Sequence, residues 1–429
     1  MMTNGSDSGG NGREAGSDRE PRLVAGLLGR RQVSLQALLE RIEAAFIEEF
    51  GDTPALAAAV TAAARLKLLN ETISYVLAVE SAQPEAAERA ALTEMAYSAL
   101  FGYGPLDPLL RNADVTTVAL DGPEKAAARF GHGDLVPVGP LFDSALQLQR
   151  ALRRLLLDAG TDLYADQPIV ETGLVIAGRR VCVNLIAPPL TPDYTVDIRL
   201  HPAQPPSLAD LTAAGFLTAE AAALLEKLAV SPHGIAVVGD TEAGKTTLLG
   251  ALARRLPQPE TVTAVERAGE LHLPAGARRL VARWRGAEQE PVTFGEQIGA
   301  ALAQSPGCLV LDEVRADEPE SIAPLLREDG VPRQLWSFRG PFDSKRLRSA
   351  LGMLARRSDM GQGEAQAAAL YRRLPFVVTV WRSGGAVGLY SVGEWQFRQS
   401  DEYPDYVLLM QRQDGQLAAT GEQPALPLG

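Results

Sequence analysis

Apolar residues first recur at helical spacing after Ser34, at Leu35, Leu38, Leu39, Ile42 and Phe46, and a second amphipathic stretch covers residues 84–100. Ser34 offers a side-chain oxygen where the first of these helices needs an N-terminal cap. Near Phe101 the period shortens. Residues 115–120 are a β-branched run, and Val181, Val183 and Leu185 alternate with Cys182 and Asn184, the period of a half-buried strand. Pro202, Pro205 and Pro206 withhold backbone donors, so residues 202–207 read as a linker, with Ser207 opening a further helical region. From Ile235 onward short apolar strands alternate with helical stretches, which predicts a mostly parallel sheet covered on both faces. Residues 1–20 are Gly, Ser, Asn and charge with almost no apolar side chain, and are expected to be disordered. The pattern predicts an α/β chain in four parts: a tail over 1–20, a helical segment over 21–100, a small α/β domain over 101–203 and a larger one over 204–429. There is no internal repeat.

Composition narrows the class. Hydrophobic residues make up 46% and charged residues 22%, the balance of a soluble globular protein. No stretch reaches the roughly 18 uninterrupted apolar residues that span a bilayer, since the Ala-rich run from Ala55 is broken by Arg65 and Lys67. The apolar piece over 23–28 is too short for a signal peptide and is followed by Arg30 and Arg31. Cys182 and Cys308 are too few for a disulfide framework, so a reducing cytoplasm is expected, with any membrane association peripheral. A net charge of -12 opposes binding to a phosphate backbone, which argues against a nucleic-acid partner. His132, His201, His233 and His272 share no metal-ligand spacing.

The chemistry concentrates in one place. Gly239-Asp240-Thr241-Glu242-Ala243-Gly244-Lys245-Thr246 satisfies the eight-position phosphate-loop pattern. An apolar strand over 235–238 precedes it and a helical stretch over 246–255 follows, the order the motif requires. Backbone donors from Gly239, Thr241 and Gly244 and the positive end of the helix then face a β-phosphate. Lys245 neutralises β/γ charge, Thr246 offers a hydroxyl to Mg²⁺, and Thr247 lies beside it. Some seventy residues on, Cys308-Leu309-Val310-Leu311-Asp312-Glu313 is an apolar run ending in two carboxylates. It reads as a Walker B strand, with Asp312 on the Mg²⁺ side and Glu313 set to orient or deprotonate a water. Between them, the strand over 262–265 leads to Glu266 and then Glu270; read from sequence alone, a solvated strand end explains this third acidic element better than a catalytic role does.

With these landmarks the chain resembles the type II/type IV secretion ATPase superfamily, and within it the CpaF-like motors of tight-adherence (Flp) pili, over residues 20–415. The likeness is carried by Phe101-Gly102-Tyr103-Gly104-Pro105-Leu106-Asp107-Pro108-Leu109-Leu110, Gly178-Arg179-Arg180-Val181, Pro188-Pro189 and Ile198-Arg199, in that order. It implies a RecA-like ATPase domain preceded by a PAS-like domain, with Arg180 and Arg199 reaching across to the nucleotide. Residues 262–271 resemble the family's acidic box, with Glu266-Arg267 where a Glu-Asp pair is usual, which makes Glu266 a candidate catalytic residue. Asp312 replaces a glycine in the Walker B segment, Arg339 stands where the family's His box has histidine, and Asp240 and Glu242 lie inside a loop that is usually glycine-rich.

The resemblance further implies ATP and Mg²⁺ as ligands, a homo-oligomer in the form of a hexameric ring, and an inner-membrane platform protein as partner. Arg339 is the third catalytic candidate, beside Glu313 and Glu266. The enzyme reading is an ATPase motor for secretion or pilus assembly. Its rival is a catalytically weak nucleotide-binding scaffold of such a ring, favoured by the missing histidine. A small-molecule kinase would leave the arginine-bearing upstream domain without a role.

Overall fold

In the computed structural model, which describes residues 23–24, 33–51, 53–257, 261–287, 289–326, 331–397 and 403–428, Ser34 caps the first helix as its position suggested. Its Oγ accepts the amide of Ala37 at 3.1 Å and starts α1 (Leu35–Phe50). Leu38, Ile42 and Phe46 recur on one face of α1 and pack with Leu69 and Ile73 of α2 (Ala62–Val79) and Leu92 of α3 (Ala86–Phe101). These three helices, with the short helix Pro54–Ala58 between α1 and α2, belong to the first of two compact units, which ends at Pro105. The tail expected over 1–20 lies outside the described residues.

The second unit, residues 106–429, contains two sheets. The first has six antiparallel strands: β1 (Val115–Asp121), β2 (Lys125–Phe130), β3 (Val136–Pro137), β4 (Ile169–Ile176), β5 (Arg179–Ile186) and β6 (Thr195–Leu200). They lie in the order β3-β2-β1-β6-β5-β4. Helix α4 (Ala145–Asp158) joins β3 to β4 and buries Leu148, Leu152, Leu155 and Leu156 at helical spacing.

The second sheet has nine strands: β7 (Ile235–Gly239), β8 (Val262–Glu266), β9 (Arg278–Val281), β10 (Cys308–Val314), β11 (Arg333–Arg339), β12 (Phe376–Ser383), β13 (Ala386–Gln396), β14 (Asp405–Gln413) and β15 (Gln416–Ala419). Their order is β9-β8-β10-β11-β7-β12-β13-β14-β15, parallel from β9 to β12 and antiparallel from there to β15. Strand period explains why its inner strands are continuous apolar runs. Ile235, Val237, Val310 and Leu335 join one core, while Ala236, Val238, Leu309, Leu311 and Trp336 join the core on the opposite face. The antiparallel extension was not anticipated in the sequence pattern. Cys182 and Cys308 are buried on strands of different sheets and are not joined in a disulfide. Among the described residues no helix is long and apolar enough to cross a membrane.

The two sheets meet along a tight seam. Gly173 of β4 lies so close to the chain after β8 that a Cβ there would sit 1.7 Å from the carbonyl oxygen of Ala268. Thr161 Oγ1 donates to the Arg285 carbonyl at 2.6 Å, and Arg315 beyond β10 bonds Glu171 of β4 at 2.7 Å. Gly173→Ala must therefore push backbone against backbone, and is predicted to cost about 1–3 kcal/mol. Thermal unfolding with a midpoint lowered by several degrees is the expected result; a midpoint equal to wild type would contradict this seam.

Candidate functional site

Strand β7 ends at the middle of the second sheet, and the chain turns through residues 240–244 into helix α5 (Lys245–Ala253). Gly244 makes that turn at φ +90°, and a Cβ on it would meet the Phe216 ring at 2.9 Å, so conformation and space both demand glycine. The turn directs the helix N-terminus into a cleft between the two sheets.

Lys245 is buried and its Nζ donates to the Asp240 carbonyl at 2.8 Å, 3.1 Å from Glu313 Oε2. Thr246 Oγ1 lies 3.2 Å from Asp312 Oδ1. Ser337 of the neighbouring β11 donates to the same oxygen. Burial pushes the Asp312 carboxyl up to about 6, with Glu270 adding to the rise and the hydroxyl donors of Ser337 and Thr246 opposing it. Glu313 stands between two cations, Lys245 and Arg315, the latter at 3.6 Å.

The facing wall comes from the first sheet. Arg199 on β6 places Nη2 3.8 Å from Glu270 Oε1 and 3.2 Å from Cys182 Sγ. His201 Nε2 lies 2.5 Å from the other oxygen of Glu270. Burial alone would raise this carboxyl, but Arg199 and the bond to His201 outweigh it and hold Glu270 well below the usual carboxylate range. The half-open cleft measures about 480 Å³ and is lined by Arg199, Lys245, Thr246, Thr247, Glu270 and Glu313, with Leu211, Phe216 and Val387 supplying an apolar part. A nucleotide needs both kinds of lining. Among the described residues no three His, Cys, Asp or Glu side chains gather as a ready-made metal site, so a cation beside Thr246 and Asp312 would draw its remaining ligands from phosphate and water, the habit of Mg²⁺. The residues fit Mg-ATP.

Three expected residues stand elsewhere. Glu266 ends β8 in register with Asp312 but is 1% exposed; it accepts the Leu271 amide at 2.7 Å and lies 3.3 Å from Arg279 Nε. Burial pushes it up to about 7, and it does not line the cleft, because the strand turns its carboxylate into the loop that follows. Arg180 donates to the Gly269 carbonyl at 2.9 Å and lines a separate cavity of about 310 Å³ with Arg279. Arg339, beside Gly239 in the sheet, is largely exposed and lies 3.6 Å from Asp240, whose carboxylate also accepts the Thr241 amide. Conversely, Glu270 and His201 are 69 positions apart and carried no shared signal; their pairing exists only because the two sheets close.

Residues 170–325 match the family model of type II/IV secretion system proteins. That span runs from β4 across the seam, through the turn at residues 240–244, and past the end of β10. A protein of Mycobacterium tuberculosis provisionally named for conjugal transfer is 33% identical over 229 residues, which are 51% of this chain and 64% of that protein. An uncharacterized protein of Methanocaldococcus jannaschii is 27% identical over 224 residues, 51% of this chain and 40% of its own length. The chain thus spans less than two thirds of the length of the curated relatives it matches. Among solved structures, the VirB11 ATPase of the Brucella suis type IV secretion system, in complex with sulphate, aligns at 20% identity over 69% of this chain and 97% of that one, with a TM-score of 0.34. The Legionella pneumophila ATPase DotB aligns at 15% identity over 69% and 81%, with a TM-score of 0.47.

The electrostatics of Glu270 yield a signed prediction. A carboxyl held below its ordinary value contributes stability above about pH 4.5 and loses that contribution as pH falls. Glu270→Gln should therefore destabilise the protein most near pH 7, with the gap to wild type narrowing below pH 4.5. Urea midpoints at pH 7 and pH 3.5 measure this; a gap that is constant or widens in acid would contradict the ion-pair assignment.

Proposed function

We propose that this chain binds Mg-ATP in the cleft between its two sheets and hydrolyses it as a motor subunit of a type II/type IV secretion or pilus assembly machine. One observation carries the reading: within a segment matching the secretion-protein family model, Lys245 and Thr246 of the phosphate loop face Glu313 and Asp312, and Arg199 of the preceding sheet closes the opposite side. Thr246 and Asp312 would hold the Mg²⁺, with Thr247 beside them, and Gly239, Thr241 and Gly244 would shape the loop around the phosphates. The metal supplies charge neutralisation on the phosphate oxygens. Lys245 and Arg199 approach the transferred phosphate from opposite walls, so closure of the two sheets completes the cation set. Glu313 Oε orients the attacking water and accepts its proton.

The larger sheet is then a RecA-like ATPase domain and the smaller one the PAS-like domain of a CpaF-like (Flp pilus) motor. Closure and opening of the pair with each turnover is the stroke. A homo-oligomer in the form of a hexameric ring, on the cytoplasmic face of the membrane against an inner-membrane platform protein, would transmit it. Conjugal transfer, the process named for the Mycobacterium tuberculosis relative, is the same class of work. The rival scaffold reading draws on Arg339, which replaces the expected histidine, is turned to Asp240 and lies on the exposed rim.

Steady-state phosphate release separates the two. Glu313→Gln is expected to keep ATP-induced stabilisation, about 2.7 kcal/mol at a hundred times Kd, while turnover falls by about 10²–10⁴. Lys245→Ala is expected to lose the stabilisation. Equal phosphate release by wild type and Glu313→Gln would leave the scaffold as the function, and no nucleotide-dependent stabilisation of wild type would overturn both readings.

A further inference from the structure

A phosphate loop carrying two carboxylates repels the anion it is meant to hold, unless each is drawn off by a cation. In this chain both are. Asp240 faces Arg339 across the exposed rim at 3.6 Å, a weak, solvent-screened pairing. Glu242 is different. Its Oε2 lies 2.5 Å from Arg129 Nη1 on β2, and its Oε1 accepts the hydroxyl of Thr117 on β1 at 2.7 Å. Both side chains are largely buried, Arg129 at 9% exposure. Glu242 holds this position at φ +59°, a left-handed conformation that a non-glycine residue keeps only where its surroundings impose it. Its carbonyl also faces Arg382 Nη1 at 3.5 Å, and that arginine reaches across to the carbonyls of His132 and Gly133 beyond β2. The tip of the phosphate loop is thus tied to the first sheet by a side chain that a glycine-rich loop would lack.

We propose that Arg129 and Glu242 are a positioning pair: Arg129 turns the Glu242 carboxylate away from the phosphate side of the loop and fastens the loop to the first sheet. The proposal rests on the nucleotide reading of the cleft and extends it. Arg129 and Glu242 both line the cleft, so the pair forms part of the wall against which a nucleotide packs. Deleting the arginine leaves a carboxylate free to swing toward the phosphates, and deleting both removes the problem. Phosphate affinity should accordingly fall for the single change and return for the double one. A merely structural ion pair would show no such return.

The test uses the full chain and titration calorimetry with Mg-ATP, Mg-ADP and adenosine. Arg129→Ala is expected to weaken Mg-ATP about tenfold, the order set by one uncompensated charge close to the phosphates. Mg-ADP should weaken less and adenosine should be unaffected. Arg129→Lys, which keeps the charge and loses the planar fork, should fall between. Arg129→Ala/Glu242→Ser should bind Mg-ATP within about threefold of Glu242→Ser alone. Urea unfolding without nucleotide supplies the second readout: the two single changes should be non-additive, the double variant costing less than their sum. Additive unfolding effects, or a double variant as weak for Mg-ATP as Arg129→Ala, would overturn the pair as a positioning device. Wild type binding none of the three ligands would overturn the nucleotide reading itself, while non-additive unfolding in that same protein would still establish the bridge.

Discussion

Acidic side chains around a phosphate loop have to be neutralised before the loop can accept another anion, and this chain meets that constraint with its first sheet. Glu242 is drawn to Arg129, Glu270 to Arg199 and His201, and Arg315 beside Glu313 to Glu171. Each of these contacts joins the two sheets. Buried ion pairs of this kind add little net stability over well-packed apolar residues, but breaking one partner leaves a charge stranded. They therefore specify an arrangement more than they strengthen it. The arrangement they specify is the one in which Arg199 faces Lys245 across a single cleft.

Much of this was legible in the chain itself. Period and punctuation located the capped helix at Ser34, the strand over β5, and the strand, loop and helix around Gly244, because each depends on neighbours within a few residues. The apolar strand that ends in Asp312 and Glu313 was equally plain, since a fully buried parallel strand has to be apolar along its length. The antiparallel extension β13–β15 carries no comparably sharp signal, its burial being partial on its outer strands.

The site was read less completely than the fold. Glu266 and Glu270 are four residues apart on one acidic stretch, and sequence offers no means to tell which one faces the cleft; the turn after β8 decides it, burying Glu266 against Leu271 and Arg279 and presenting Glu270 to Arg199. Arg180 and Arg199 look equivalent as arginines on adjacent strands. They are separated by the side of the seam on which each emerges: Arg180 meets the Gly269 carbonyl, and Arg199 enters the cleft. Likewise Glu242 is an anomaly as a letter in a motif and becomes intelligible only beside Arg129, which is 113 positions away. Interactions across the seam are long-range, and a local pattern does not encode them.

The central claim is that one cleft, built from both sheets, is where phosphate is bound and where closure is sensed. The most direct measurement is an experimental structure of the full chain with a non-hydrolysable ATP analogue and Mg²⁺. The account predicts the triphosphate on residues 240–245, the metal between Thr246 and Asp312, and Arg199 of the same chain on the phosphates opposite Lys245. A nucleotide bound away from that loop, or phosphates contacted by the second sheet alone with the first sheet swung clear, would contradict it.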